Sequence, residues 1–358
     1  MKPGRSAGIL ARIRHRLERG EGAAPTGLPF AREALPSSAI VRVLIVKPSS
    51  LGDIIHGLVA AASLREQVPG VRIDWVAREV FAPIVRAASP VDRVFVFERK
   101  GGVRGFLRLV REIRATEYDL VLDMQGLARS ALLARMIRAK RRIGRADSRE
   151  GASLFVWEKA VPPPPPAHAV DILLGFLKKI GLRAEPLGRL SFPGAKLPEA
   201  VATLPKRRAL VLFPDSRRPE KEWPHFQKLT ALLLAGSPEA LVVWAGNSKL
   251  APDPAWPAEK FLNLSGKTTL PEAVALIEHA GVCVCNDSGP MHIAAAVGTP
   301  VVALFGPTDP ALYGPFPLSR PSHRVLTAPD ADLEKLSPEA VATECLRLIA
   351  DCGLRIAD

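Results

Sequence analysis

The chain has 358 residues, of which 47% are hydrophobic and 24% are charged; this describes a soluble globular protein and exceeds what one hydrophobic core usually organises, so two domains are expected. A net charge of +13 raises the question of an anionic partner, whereas no apolar run approaches the ~20 residues of a membrane-spanning helix and the opening residues lack the apolar core of a secretory signal. The four cysteines, Cys283, Cys285, Cys345 and Cys352, fit no zinc or CxxC pattern, which favours structural thiols in a reducing cytoplasm.

Residues 1–40 hold seven Lys/Arg against three Glu and end in a Gly/Pro/Ala-rich stretch. Ile9, Leu10, Ile13 and Leu17 share one helical face, and such a short basic amphipathic helix could lie on an anionic membrane. A mobile tail or a misassigned start codon is the alternative. We expect this segment to be a basic, flexible leader.

The first domain is predicted to begin at Val41–Val46, a buried strand followed by the loop Lys47–Asp53 and a helix from about Ile54 to Gln67. The loop has neither a GxGxxG nor a Walker A pattern. It nevertheless places backbone N–H groups and Asp53 at the carboxyl edge of a sheet. Asp53 has two interpretations: an N-cap of the helix, or a carboxylate at a cleft edge that serves as a general base.

Further alternation of strand and helix predicts a parallel sheet with right-handed crossovers over residues 41–185. Strands are expected at 72–77, 93–97, 119–124 and 142–144, and helices at 79–88, 103–115, 127–138 and 170–180. Loops after two of these strands carry Arg99, Lys100, Arg104 and Arg129, and these loops should open toward the same edge as Asp53.

Positive charge is concentrated in the first half of the chain. Arg93–Arg114 contains seven basic and two acidic residues, and Arg129–Glu150 contains eight and two. Solvated helix faces are the simplest explanation, but the uneven distribution favours an anionic partner of the first domain.

The five prolines Pro162–Pro166 predict an extended connector, and residues 186–206 predict a linker between domains. A second α/β domain is expected at 207–335, followed by a C-terminal helix in 336–358 that could pack back across the junction. Its strands are predicted at 209–213, 241–245, 261–264 and 282–285, and its helices at 225–234 and 269–280. Ser265–Thr268 is not a P-loop, because Phe261 stands where Walker A requires glycine.

The stretch Cys285–Pro310 predicts strand, polar turn, helix, strand and polar turn in succession. Asn286–Gly289 is a turn with helix-capping residues, and Pro290 suits a first helical turn. The unpaired N–H groups at such a helix start can bind a phosphate or diphosphate. An ordinary connection between a strand and a helix fits the same pattern. Two parallel sheets with polar loops at one edge imply an interdomain cleft, a common place for ligands.

Five motifs in the same order resemble those of bacterial lipopolysaccharide heptosyltransferases, in glycosyltransferase family 9. They are Lys47–His56, Lys221–Pro224, Leu264–Thr268, Asn286–His292 and Phe305–Pro310. The resemblance covers roughly residues 41–315 and is closer to heptosyltransferase I, which adds the first heptose to a Kdo sugar of the inner core, than to heptosyltransferase II. It implies a GT-B fold, in which two Rossmann-like parallel-sheet domains face each other across a cleft. The implied reaction is an inverting transfer from ADP-heptose that needs no metal and no cofactor.

The resemblance also implies roles for individual residues. Asp53 matches the proposed base, Lys221 and Ser216 match residues that bind the donor diphosphate, and Asp287 matches a carboxylate that holds sugar hydroxyls. The remaining donor-binding candidates in the matching turn are Ser288, Gly289, Pro290, Met291 and His292. For His292, a histidine that only braces the turn is an equally good interpretation.

A Kdo-lipid A type acceptor would be anionic and lie at the cytoplasmic face of the inner membrane, so the enzyme is expected to be cytoplasmic and peripheral on that membrane. The acceptor-binding candidates are Ser50, Gly52, Arg99, Lys100, Arg104 and Arg129.

The sequence departs from the family at two places. Val59 and Ala60 follow Leu58 where many relatives have proline, and Asn247–Leu250 stand where many have a glutamate suited to ribose hydroxyls. The nucleotide is therefore open. Alternatives are a family 9 transferase with another donor or acceptor, a sugar-nucleotide epimerase, and a non-catalytic sugar-nucleotide-binding scaffold of envelope assembly. A nucleic-acid-binding protein would rest on charge alone, since no RRM, KH or helix-turn-helix pattern is present.

Overall fold

Strands and helices alternate along the chain from Arg42 onward, as the apolar pattern predicts. The structure is a computed structural model that describes residues 41–351 except 156, 157, 204 and 238. The predicted leader, residues 1–40, and Cys352 lie outside the described residues. Within the described part, no helix is both long enough and apolar enough to cross a membrane.

The first parallel sheet has the strand order β3-β2-β1-β4-β5-β6. Its strands are β1 (Arg42–Val46), β2 (Arg72–Arg78), β3 (Arg93–Phe97), β4 (Tyr118–Asp123), β5 (Ala139–Arg145) and β6 (Glu158–Ala160). The helices around it are α1 (Leu51–Gln67), α2 (Ala82–Ala87), α3 (Gly102–Ile113), α4 (Ala128–Met136) and α5 (Ala169–Lys179). The strand order reverses between β1 and β4, which opens a crevice at their carboxyl ends.

The second sheet repeats this topology, with the order β12-β11-β10-β7-β8-β9. Its strands are β7 (Ala209–Phe213), β8 (Leu241–Trp244), β9 (Phe261–Asn263), β10 (Val282–Asn286), β11 (Val301–Phe305) and β12 (His323–Thr327). Its helices are α6 (Phe226–Gly236), α7 (Leu270–His279), α8 (Gly289–Val297), α9 (Pro310–Tyr313) and α10 (Pro338–Asp351). The predicted α/β class with two Rossmann-like parallel sheets is confirmed.

The central strands are apolar apart from terminal residues such as Arg42 and Asn286, because helices cover both faces of each sheet. Every residue of β7, β10 and β11 is buried, as expected for a doubly covered parallel sheet. The strands that sequence analysis missed are edge strands with polar residues. The strand β6 is only Glu-Lys-Ala, and β12 begins with His323 and Arg324, so neither has an apolar run.

Helix α1 begins at Leu51, three residues earlier than predicted, and Asp53 is not its N-cap. Ser50 is the N-cap residue. Asp53 stands three positions later, where its Oδ2 accepts hydrogen bonds from the Ser50 backbone N–H (3.0 Å) and the Ser50 hydroxyl (2.7 Å). The first turn of the helix was not predicted, because Leu51, Gly52 and Asp53 do not continue the apolar periodicity of the residues after them.

Helix α10 packs within the second sheet's core. Val341, Cys345 and Leu348 are buried there together with Trp223, and Trp223 Nε1 donates to the Leu336 carbonyl at 3.0 Å. The helix is therefore buried by residues of the second domain. The sequence had left open that it could instead pack across the domain junction. The described cysteines, Cys283, Cys285 and Cys345, are free and buried.

Helix α1 approaches its sheet closely at one glycine. A Cβ on Gly57 would lie 2.8 Å from Cη2 of Trp75, and that indole is fully buried. We expect Gly57→Ala to lower the free energy of unfolding by about 1–3 kcal/mol, the usual cost of overpacking a core. Chemical denaturation followed by circular dichroism measures this.

Gly105→Ala is the matched control, because a Cβ at this half-buried position of α3 would meet only Glu98 Oε2, at an ordinary contact distance of 3.8 Å. This substitution should leave stability unchanged or raise it by up to about 1 kcal/mol, as alanine is the better helix former. Equal stability losses in the two variants would contradict the packing argument.

Candidate active site

A buried lysine and a half-exposed carboxylate form the center of the first sheet's carboxyl edge. Lys47 follows β1 directly and is 2% exposed, and its Nζ lies 3.2 Å from Oδ1 of Asp53, whose side chain is 44% exposed. The Trp75 indole N–H donates to the Lys47 carbonyl at 3.1 Å, which fixes the backbone at that point. Lys47 thus binds Oδ1 of the Asp53 carboxylate and Ser50 binds Oδ2, while 44% of the side-chain surface remains open to solvent.

The charge state of Asp53 follows from these contacts. Burial alone would raise its pKa, but the Lys47 ammonium and the hydrogen bonds from Ser50 outweigh burial and lower the pKa to about 2. Burial lowers the pKa of Lys47, an effect that Asp53 partly offsets. Asp53 is therefore an anion at neutral pH, available to accept a proton or a hydrogen bond.

Arg145 is a second cation near Asp53 that sequence analysis missed. It ends β5 and pairs with Asp147 through Nε (2.9 Å) and Nη2 (2.6 Å). These bonds raise its pKa, and the charges of Asp53 and Asp123 add to the effect. A cation at the carboxyl end of a predicted parallel strand was a usable signal for both Arg145 and Lys47.

In the second domain, Lys221, Asp287 and Thr308 form a connected group. Lys221 Nζ is ion-paired with Asp287 Oδ2, and both side chains are largely buried. The Thr308 hydroxyl donates to the same oxygen at 2.7 Å. Three of the motifs read from the sequence therefore meet at one point.

Asn286 explains why Lys221 lies there. This fully buried amide at the end of β10 accepts from the Trp223 N–H (3.1 Å) and donates to the Pro214 carbonyl (3.0 Å). Both partners belong to the loop after β7, so the amide ties that loop to the start of α8. Ser216, in the same loop, uses its backbone N–H to bond Glu222 at 2.8 Å.

The start of α8 presents unpaired donors. Ser288 is its N-cap residue, and the Ser288 hydroxyl is buried without a hydrogen-bond partner among the described residues. The backbone N–H groups of the first turn are free of helical partners, except that Pro290 has none to offer. The Met291 side chain is fully buried, so only the backbone of this residue could reach a ligand.

The two helix starts touch each other. A Cβ on Gly52 would lie 2.6 Å from Cδ2 of His292, and a Cβ on Gly289 would overlap the Leu51 side chain. Each glycine lets the opposite domain approach within side-chain contact. Asp53 therefore lies one residue from the contact on one side, and Ser288 one residue from it on the other.

Three histidines reinforce this contact between domains. His56 Nε2 and His292 Nδ1 are 3.0 Å apart, and the His168 ring lies 5.6 Å from the His56 ring. His168 Nδ1 accepts from Val170 N–H at 3.1 Å, so its Nε2 carries the proton that is donated to the Gly314 carbonyl at 3.0 Å.

Burial keeps this cluster neutral. It lowers the pKa of His56 well below its ordinary value, an effect strengthened by His292 and His168. Burial likewise lowers the pKa of His292 to about 4, against the opposing charges of Asp287 and Asp53. One imidazole of the His56–His292 pair must then donate and the other accept.

The basic acceptor candidates lie further along the same edge. Arg99, Lys100 and Arg104 are exposed around the start of α3, after β3, which is two strands from β1. Arg129 is exposed at the start of α4, with its guanidinium 5.7 Å from the Phe97 ring center. The structure brings none of the four into contact with Asp53, whereas Ser50 and Gly52 adjoin it.

Comparison with known proteins finds one family that matches most of the chain. Residues 106–340 match the model of glycosyltransferase family 9 (heptosyltransferase). The lipopolysaccharide core heptosyltransferase OpsX of Haemophilus influenzae is 28% identical, covering 81% of this chain and 84% of that protein. Lipopolysaccharide heptosyltransferase 1 of Pseudomonas aeruginosa is 30% identical, covering 77% of this chain and 81% of that protein.

The structure of the Escherichia coli heptosyltransferase WaaC with ADP superposes with a TM-score of 0.72 at 27% identity, over 86% of this chain and 100% of that one. The same protein has been solved with ADP-2-deoxy-2-fluoro heptose.

The histidine cluster predicts a pH dependence of stability. The unfolded chain takes up protons below pH 6.5, whereas folded His292 does so only near its pKa of about 4. The free energy of unfolding should therefore fall as the pH drops from 6.5 to 4, and His292→Gln should remove roughly 2–3 kcal/mol of that fall. Urea unfolding at a series of pH values measures it.

His225→Gln is the control for this experiment, because His225 lies at the start of α6, outside the cluster. Its pH dependence should match that of the unmodified protein. If the free energy of unfolding depends on pH equally in His292→Gln and in the control, the His292 imidazole is not held neutral by burial in the folded protein.

Proposed function

Because the chain belongs to glycosyltransferase family 9 and is therefore a glycosyltransferase, we propose that it transfers heptose from ADP-heptose to a Kdo sugar of the lipopolysaccharide inner core, with inversion at the anomeric carbon. The observation that carries this proposal is the contact between the starts of α1 and α8. It brings Asp53, an ionised carboxylate, close to the start of α8, whose first turn offers unpaired N–H donors.

The donor assignment is supported by the second domain's site. The diphosphate would lie at the start of α8, where the Ser288 hydroxyl and the first-turn N–H groups are available. Lys221 and the Ser216 hydroxyl would bind the same phosphates, and Lys221 would neutralise the charge that grows as the glycosidic bond breaks. The ADP-bound Escherichia coli relative supports ADP as the nucleotide. Asp287, one of whose oxygens already binds Lys221 and Thr308, has its other oxygen for sugar hydroxyls.

The chemical step would be a single in-line displacement with Asp53 as general base. The acceptor hydroxyl oxygen bonds to the anomeric carbon while its proton passes to Asp53, and the electron pair of the breaking bond goes to the diphosphate oxygen of ADP. The low pKa of Asp53, about 2, makes it a weak base toward a free hydroxyl. Proton transfer therefore becomes favourable only as the new bond forms and acidifies that hydroxyl.

The acceptor side is supported by charge. Kdo carboxylates and lipid A phosphates are anions, and Arg99, Lys100, Arg104 and Arg129 are exposed cations at the carboxyl edge of the first domain. Arg145 adds a cation nearer to Asp53. Helix α3 also exposes Val103 (75%) and Leu107 (51%) among its arginines, a combination that favours peripheral contact with an anionic bilayer. We place the reaction at the cytoplasmic face of the inner membrane on this basis.

Asp53→Asn should lower kcat by roughly 100- to 10,000-fold, the usual contribution of a general base, and leave the affinity for ADP within about twofold. The amide keeps the shape of the side chain, and its oxygen can accept both hydrogen bonds from Ser50. The assay is transfer from ADP-heptose to a Kdo-bearing lipid A, followed by mass of the product, with ADP affinity from calorimetry.

Asp309→Asn is the matched control. Asp309 is exposed at the start of α9, where its carboxylate accepts the Ala311 N–H at 2.8 Å. Full transfer activity in Asp53→Asn would exclude the base, and full biological function would favour a binding scaffold. Turnover of ADP-heptose without acceptor would indicate an epimerase.

The double variant Arg99→Glu/Arg104→Glu should raise the acceptor KM roughly tenfold or more and weaken binding to phosphatidylglycerol vesicles, because each cation near an anionic surface contributes about 1 kcal/mol. The donor KM should not change. The control is Lys178→Glu/Lys179→Glu, which reverses two exposed charges in the last turn of α5. An unchanged acceptor KM would remove Arg99 and Arg104 from the acceptor site.

A further inference from the structure

The donor site has no acidic residue at the strand end where a carboxylate for the ribose hydroxyls is expected. In sheets of this topology, the acidic residue that binds the ribose hydroxyls follows the second strand of the mononucleotide-binding half. That strand is β8 here, because the order runs outward from β7 to β8 to β9. The residues after it are Ala245, Gly246, Asn247 and Ser248, none of them acidic.

Asp215, from the end of the neighbouring strand, occupies this place. Its Oδ1 accepts the Asn247 backbone N–H at 3.1 Å, and a Cβ on Gly246 would overlap the same oxygen. Gly246 has φ +89°, a conformation that glycine adopts without strain. The carboxylate therefore lies directly on the backbone after β8, through space that only a glycine leaves open.

The other carboxylates near this edge are engaged elsewhere. Asp287 binds Lys221 and Thr308, and Glu222 accepts the Ser216 N–H at 2.8 Å. Asp215 is half-buried, and no basic side chain among the described residues pairs with it. Burial raises its pKa, partly offset by the Asn247 N–H. A carboxylate in this situation gains from additional hydrogen-bond donors.

A hydroxyl at the end of the next strand adds a second unsatisfied group. The Ser265 hydroxyl, after β9, is buried without a hydrogen-bond partner among the described residues. Its neighbour Gly266 donates its N–H to the Gly246 carbonyl at 2.7 Å, so this loop adjoins the backbone against which Asp215 rests. The strands β7, β8 and β9 follow β10 in this order in the sheet, so Asp215 and Ser265 lie on the side of the α8 start that extends across these strands.

We propose that Asp215 binds the ribose hydroxyls of the sugar nucleotide, and that it does so from the end of β7 in place of an acidic residue after β8. The inference rests on the proposed function, since it assumes a nucleoside diphosphate in this domain. A vicinal diol supplies two O–H donors, which match the two oxygens of one carboxylate. Asp215 thereby makes the site selective for a nucleotide with an intact ribose.

The test compares ADP with 2′,3′-dideoxy-ADP by calorimetry on the full chain. The unmodified protein should bind ADP roughly 10- to 100-fold more tightly than the dideoxy nucleotide, because hydrogen bonds to a charged group are worth about 1.5–3 kcal/mol. Asp215→Asn should lose most of this preference by weakening ADP alone. Its amide oxygen can still accept the Asn247 N–H, and an unchanged melting temperature checks that the fold is intact.

The matched control is Asp253→Asn, because Asp253 also accepts a loop backbone N–H (from Ala255, 2.9 Å) but is exposed outside the site. It should bind both nucleotides as the unmodified protein does. If Asp215→Asn weakens both nucleotides equally, or if the unmodified protein binds both equally, the inference is wrong while the proposed transferase stands. UDP and GDP with their dideoxy forms are measured in parallel. If no nucleoside diphosphate binds, the proposed function and the inference both fall.

Discussion

The close contact between the starts of α1 and α8 is the constraint on which the site depends. Gly52 admits the His292 ring, and Gly289 admits the Leu51 side chain. A methyl group at either position would overlap the facing side chain, so that side chain or its helix would have to move. Because each helix start also carries candidate site residues of its own domain, Asp53 in α1 and Ser288 at α8, the contact that joins the domains also brings these candidates together.

The two halves of the site solve different electrostatic problems with the same device. In the first domain, a buried lysine keeps a partly exposed carboxylate ionised. In the second, a buried carboxylate holds a largely buried lysine in place. In both pairs a fixed ion-pair partner, rather than a mobile surface group, positions the charge.

The three histidines between these two halves are neutral at neutral pH. His56, His168 and His292 are buried with lowered pKa values, so the contacts that these three rings make between the domains are neutral hydrogen bonds. Such bonds impose little dependence on salt. The anionic substrates proposed for this cleft would therefore change its charge without disturbing the joint between the domains.

Sequence alone determined the α/β class. Parallel strands that are buried on both faces consist mainly of apolar residues, and β7, β10 and β11 could be recognised as strands by such runs. Capping residues and glycines after a strand are local signals, and they singled out Asp53 and the Asn286–His292 turn as candidates, whereas Lys221 became a candidate only through the family resemblance. Sequence alone could not place Ser50 rather than Asp53 at the N-cap, nor assign Lys47, Arg145 and Asp215 to the site. Their roles depend on which strands are neighbours, and the strand order is set by packing between residues far apart in the chain. The pairing of His56 with His292, 236 positions apart, was decided by the tertiary structure alone, because only the meeting of the two domains makes either ring buried.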